Sequence, residues 1–392
     1  MTAVAVSAQL GGTERVLLDL ATHAASLDVD LRVLVPINGP LVARLGEIGI
    51  PTDVVPGSHA LLRSSQQEGY LWSAAPAVAG LISWARKLER HPYLFPGVLA
   101  YTIGFKAHLA VAMAQTRPSV WHLHEFPPAR TGRAWRALAH RLPDALVANS
   151  EAVGAAWASA TPHAPRHGTT VVLNGIDLTQ FQPRTPTKWI HDELGIPRER
   201  RLVGMPAVLA RWKGHMEVIE AFRAVQGEFP ETDLVLVGGS IYDTLAEQRY
   251  AKQLKDVLES SHSRIHLLPF QQQIERVFPE FDITVHYSLR SEPFGRVILE
   301  SMASGVPVVA ADEGGPKEIL GTSAEEVGWL ATPRKPDVLA SVLRSALGKP
   351  ASALADMGAR SRKRAEAHFS SSRFAGEIAD LFRLVAPARP RK

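Results

Sequence analysis

Two glutamates, Glu292 and Glu300, stand eight positions apart in the run Ser291-Glu292-Pro293-Phe294-Gly295-Arg296-Val297-Ile298-Leu299-Glu300. Between them the spacing predicts that a helix opens at Phe294, Gly295 and Arg296. Its first amides have no preceding turn to bond to, and the helix dipole adds positive potential, so this is a place for an anion such as a phosphate. Glycine at 295 lets a ligand come close to the backbone. Two carboxylates flanking an anion site suit a ligand with hydroxyls at both ends and phosphate between. A nucleotide-sugar has that shape. A second candidate is His124, predicted to lie where a strand runs into a loop.

These residues need elements to position them. Asp282 to Tyr287 is β-rich and predicts a strand, and Ser288 to Gly295 is polar and predicts a loop. Val297, Ile298, Met302 and Ala303 recur at helical spacing, and Gly305 stands where the helix should stop. Val306 to Ala310 is a second buried strand, followed by a turn at Asp312 to Gly315 and a helix opened by Pro316. In a parallel sheet both loops lie at the carboxyl ends of their strands, where such folds bind ligands.

The string Ser-Glu-Pro-Phe-Gly-Arg-Val-x-x-Glu-Ser-Met-Ala-x-Gly-x-Pro-Val-Val-Ala, with its Glu-x7-Glu core, resembles the donor site of retaining glycosyltransferases of family 4. That resemblance implies the GT-B fold: α/β, two Rossmann-like doubly wound domains facing across a cleft, with the final helix crossing back to the first domain. It also assigns roles. Glu300 should hold the ribose hydroxyls and Glu292 the donor sugar. The amides of Phe294, Gly295, Arg296 and Val297 should meet sugar and diphosphate. Lys213, in Lys-Gly, resembles the family's phosphate-binding lysine, a cation for the departing nucleoside diphosphate. The family usually has an arginine five residues earlier; here Val208 stands there, and Arg211 is the candidate second cation. Phe270, after Pro269, should border the nucleobase. Gly12, of the pair Gly11-Gly12, resembles the family's glycine loop facing the diphosphate; by itself the pair shows only a tight turn. His122-x-His124 resembles a family motif whose second histidine lies near the reacting sugar. Asn174-Gly175-Ile176-Asp177 resembles the segment between the domains. The expected division is 1–177, acceptor-binding; 178–368, donor-binding; and 369–392, the returning helix.

The amino-terminal half reads as strand, glycine turn and helix: Thr2 to Ala8, then Thr13 as the helix cap, then Val16, Leu17, Leu20, Ala21, Ala24 and Leu27 on one face. The turn is not Gly-x-Gly-x-x-Gly, which disfavours a dinucleotide cofactor. Residues 58–110 are expected to be helical. Their aromatics Trp72, Trp84, Tyr93, Phe95, Tyr101 and Phe105 lie among basic residues and suit either a core face or an acceptor or membrane-docking face. Thr131 to Leu142 predicts a basic helix. Short strands are expected at Ser119 to Glu125, Ala145 to Ala148, Thr170 to Leu173, Leu202 to Val208, Asp233 to Val237 and Arg264 to Leu268.

Composition bounds the rest. The 392 residues suffice for two domains. There is no cysteine, which removes disulfides, thiolate metal sites and a cysteine nucleophile and fits a reducing cytoplasm, including the inner face of a membrane. No signal peptide or spanning segment is expected. A net charge of +4 is too small to argue for nucleic acid and is compatible with an anionic membrane surface. No acidic cluster suggests a metal, so metal-independent transfer from a UDP- or GDP-sugar to a sugar, lipid-linked or small-molecule acceptor is expected, without a cofactor. Three rivals stay open. A glycosidase also uses two carboxylates but needs no phosphate site. A GT-B epimerase and a silent nucleotide-sugar binder share the donor site.

Overall fold

The computed structural model describes residues 1–63, 75–127, 143–160, 165–239, 245–259, 264–321 and 324–386. The chain forms two compact units, Met1–Gly175 joined by the stretch from Ser371, and Ile176–Ser370.

The first unit carries a seven-stranded sheet: β1 (Thr2–Ala5), β2 (Arg32–Val35), β3 (Thr52–Val54), β4 (Ala100–Ile103), β5 (Ser119–Leu123), β6 (Ala145–Ala148) and β7 (Thr169–Val171). Their order is β3-β2-β1-β4-β5-β6-β7. Every pairing is parallel, for example Ala3 opposite both Val33 and Tyr101. A parallel sheet is covered on both faces, so its inner strands are short apolar runs rather than alternating ones. In β1, β4 and β6 every residue is buried.

The fourth strand corrects the expectation that 58–110 is helical throughout. Helices run over His59–Arg63, Ala75–Glu89 and Phe105–Met113, but Ala100–Ile103 is a strand beside β1. Trp84, Tyr101 and Phe105 are core residues, and Trp84 Nε1 donates to the Val55 carbonyl at 2.9 Å. Phe95 and Tyr93 are exposed. Trp72 and the predicted helix Thr131 to Leu142 lie outside the described residues.

Thr13 is not the cap of the first helix. The Gly12–His23 helix has Gly11 as its N-cap, and no side chain caps it. The last helix, Ser371–Val385, belongs to this unit. Its Phe374, Ile378, Leu381, Phe382 and Val385 share one core with Val16, Leu17 and Leu20. Phe382 packs edge-on against Tyr101 with ring centroids 5.1 Å apart. Truncating a phenylalanine in such a core costs about 3–5 kcal/mol.

The second unit carries β8 (Arg201–Pro206), β9 (Thr232–Gly238), β10 (Ile265–Pro269), β11 (Ile283–His286), β12 (Val308–Ala311) and β13 (Gly328–Ala331). The order is β10-β9-β8-β11-β12-β13, again all parallel. Successive strands move outward from β8 on one side and from β11 on the other. Helices His215–Val225, Arg296–Ala303, Pro336–Leu347 and Ala351–His368 cover the sheet. Among the described residues no helix is long and apolar enough to cross a membrane.

Candidate active site

The strand order reverses between β8 and β11, so the loops after these two neighbouring strands leave the carboxyl edge of the sheet side by side, the place where such sheets bind ligands. The loop after β8 carries Lys213, and the loop after β11 carries Glu292. The structure brings the two side chains together. Lys213 Nζ lies 2.8 Å from Glu292 Oε1 and 3.0 Å from Oε2. Both side chains are only 12% exposed, so each charge depends on the other. Lys213 Nζ also sits 4.0 Å from the centre of the Trp212 ring.

Glycine makes this approach possible. Gly214 has φ +80°, and a Cβ there would meet the Tyr287 carbonyl oxygen at 2.2 Å. The Leu289 amide then donates to the Trp212 carbonyl at 2.7 Å, tying the loops together. A third loop joins them, because the Gly315 amide donates to the Glu292 carbonyl at 2.9 Å.

Two further groups surround the Glu292 carboxylate. Ser288 Oγ donates to Oε2, and His286 Nε2 lies 3.0 Å from the same oxygen. Burial alone would raise the Glu292 carboxyl. The Lys213 ammonium and then the His286 ring outweigh it and hold it well below the usual carboxylate range. Glu292 is therefore an ionised, acceptor-only group at any working pH.

From this loop the chain enters the Arg296–Ala303 helix, capped by Gly295 at φ +110°. Phe294, Ile298 and Leu299 are buried and fix the start of the helix against the core. The first amides of a helix have no preceding turn to bond to, and the helix dipole is positive at that end. Glu300 lies one turn on, 5% exposed, and accepts from Arg296 Nε at 3.2 Å. Arg211 is spoken for: its Nη1 and Nη2 reach the two Glu217 oxygens at 2.9 and 2.7 Å. Phe270 is 55% exposed beyond β10, beside the Gly239 backbone. Among the described residues no three His, Cys, Asp or Glu side chains are grouped to hold a metal ion.

The remaining site residues lie in the first unit, also at a carboxyl edge. Gly12 opens the helix after β1, and a Cβ there would meet nothing within 4 Å. His124 follows β5 and is partly buried. Its ring lies 4.0 Å from His122, and its Nδ1 is 3.5 Å from Asn149 Nδ2. Loss of water around its nitrogens pushes it down to about 3, so it is a neutral imidazole at neutral pH. His122 accompanies it, completely buried, with Nδ1 against the Tyr101 hydroxyl.

Sequence reasoning missed Glu14, His286 and Ser288. Glu14 is buried in the first turn of the Gly12–His23 helix, where burial pushes its carboxyl up to about 7 against the pull of the Glu14 and Gly11 amides. Its signal was present, as glutamate three residues after a glycine N-cap is half of a capping box. His286 and Ser288 had the signal of lying at and just past a strand's carboxyl end.

Two family models match the chain: Glycosyl transferases group 1 over residues 187–364 and Glycosyltransferase Family 4 over residues 10–180. The chain belongs to glycosyltransferase family 4. Anabaena HepE, solved with UDP and glucose, superposes with a TM-score of 0.78 at 27% identity, covering 98% of this chain and 99% of that one. The family 4 fold is thus the GT-B pair of Rossmann-like units. D-inositol 3-phosphate glycosyltransferase of Corynebacterium kroppenstedtii is 26% identical over 73% of this chain and 62% of its own length. Spore coat protein SA of Bacillus subtilis is 26% identical over 45% of this chain and 48% of its own. The matched stretches therefore span less than two thirds of these curated relatives.

Proposed function

We propose that this chain transfers a sugar from a nucleotide-sugar, with UDP as the base-bearing leaving group, to an acceptor hydroxyl, with retention of anomeric configuration and without a metal. The Lys213–Glu292 pair at the strand-order reversal carries the proposal. A cation for the diphosphate and a carboxylate for sugar hydroxyls stand side by side at the opening of a helix. The uridine preference rests on the likeness to HepE, whose structure holds UDP.

In this mechanism Lys213 turns from Glu292 to the diphosphate and offsets the charge that develops as the glycosidic bond breaks. The first-turn amides from Phe294 to Val297 add fixed dipoles on the same oxygens. Glu292 accepts hydrogen bonds from the donor sugar, Glu300 from the ribose, and Phe270 borders the base. Gly12 faces the diphosphate, where the helix after β1 leaves open space. His124, a neutral ring, offers a hydrogen bond beside the reacting sugar. Arg211 is held by Glu217 and serves as second cation only on leaving it. The acceptor is a sugar, a lipid-linked sugar or a small molecule. Peripheral association with an anionic membrane face, with the exposed Phe95 as a contact, is tested by vesicle flotation.

A thermal-shift panel of UDP, GDP, ADP and their sugar conjugates decides the reading, because a ligand that binds only the folded state raises Tm. UDP and one of its sugars should give the largest shift. No shift with any nucleotide would sink the donor site.

A further inference from the structure

His286, the last residue of β11, is 3% exposed, and nothing in the mechanism above uses it. Its Nε2 lies within ion-pair distance of Glu292 Oε2, at 3.0 Å but off the hydrogen-bond axis, and neither ring nitrogen has a hydrogen-bond partner among the described residues. A buried ring with a bare nitrogen is a cost that an apolar side chain would avoid, so packing alone does not explain it. An ionised carboxylate only accepts, so the ring nitrogen that faces it carries hydrogen.

The two carboxylate oxygens are served differently. Oε1 meets Lys213 at 2.8 Å. Oε2 meets Lys213, the Ser288 hydroxyl and His286. When the donor diphosphate draws Lys213 away, Oε1 loses its partner and Oε2 keeps two. We propose that His286 is a positioning residue: with Ser288 it holds Oε2, fixes the rotamer of Glu292, and leaves Oε1 to receive a hydroxyl of the donor sugar. The proposal rests on Glu292 meeting the donor sugar. It adds the group that orients the carboxylate once its lysine is engaged. It assigns to His286 a part in distinguishing a sugar nucleotide from the bare nucleotide, since UDP has no sugar to present to Oε1.

Calorimetric titration of the full chain with UDP and with UDP-glucose tests this in wild type, His286→Ala and His286→Gln. His286→Ala should leave UDP affinity within about twofold and raise the ratio of UDP-glucose to UDP dissociation constants about tenfold, the loss of one charge-assisted contact. Glutamine places an N–H donor near the lost Nε2 and should restore most of the ratio. An unchanged ratio in His286→Ala, or loss of both ligands in step with a fall in Tm, overturns the positioning role and leaves the donor site standing. A wild-type chain that binds neither ligand overturns the donor-site reading itself, and this inference with it.

Discussion

In the Met1–Gly175 unit the buried histidines His108 and His122 and the partly buried His124 are all pushed far down, chiefly by burial, and are uncharged at neutral pH. Glu14, nearby in kind, is pushed up to about 7. In the Ile176–Ser370 unit His215 is likewise pushed down to about 3, chiefly by burial, but Lys213 and Glu292 form a nearly dry ion pair, and Arg296 meets Glu300. The histidine cluster of the first unit is hidden by neutralisation, and the Lys213–Glu292 pair of the second by pairing. A charged pair at a strand-order reversal can be opened by a ligand that carries its own charge. A neutral cluster has no charge to exchange with an anion.

The largest effect should come from breaking the pair. Lys213→Ala removes the cation for the leaving group and strands Glu292 as a buried charge. Steady-state release of UDP should fall about 10²–10³-fold, the scale of losing one preorganised stabilising group. A wild-type rate would take Lys213 off the phosphate site and erase the contrast between the units.

The next effect tests neutralisation in the first unit. The Glu14 pKa is about 7 folded, against 4.5 when free, so the folded state holds the extra proton between those values. Stability from this group is therefore greatest below pH 4.5 and is lost as pH rises through 7. The gap corresponds to about 3 kcal/mol. Glu14→Gln should raise Tm by roughly 5–10 °C relative to wild type at pH 8, and by much less at pH 5. An equal difference at both pH values would show that Glu14 is not the group responsible.

A smaller effect separates ribose from sugar in the paired unit. Glu300→Ala should weaken UDP binding about tenfold, roughly 1.4 kcal/mol for a pair of hydroxyl contacts, with the His286-dependent ratio of the two ligands untouched. Unchanged UDP affinity by calorimetry would remove Glu300 from the ribose.

The elements that frame the candidate site were legible in the sequence, for physical reasons. Gly295, the helical spacing of Val297 to Ala303, and Gly305 announce a helix with defined ends, and the structure has it at Arg296–Ala303. The two carboxylates then follow from position. The fourth strand was not legible, because Ala100–Ile103 is four buried residues with no alternation, and only its partners β1 and β5 make it a strand. The same holds for Gly328–Ala331, which lacks a partner until β12 is placed. Thr13 looked like a cap by residue type, but the chain turns one peptide pair earlier, at Gly11. Pairing was least legible of all. Lys213 and Glu292 are 79 positions apart, and only the sheet order brings their loops together. Arg211 read as a free cation because Glu217 faces it only after a tight turn through Gly214.

The smallest expected effect is none. Metal-dependent sugar transfer uses a divalent cation to offset charge on the departing diphosphate. On the proposed mechanism an ammonium group and the N-terminus of the Arg296–Ala303 helix take that task, and Lys213 is held beside Glu292. A cation added beside Glu292 would compete with Lys213 for it rather than help it. Activity after dialysis against EDTA should therefore equal that of untreated protein, and added magnesium should change it less than about twofold. Complete loss with EDTA and rescue by magnesium would assign the leaving-group charge to a metal. Lys213 would then be a structural partner of Glu292, and the charged pair of the second unit would no longer differ in purpose from the neutral cluster of the first.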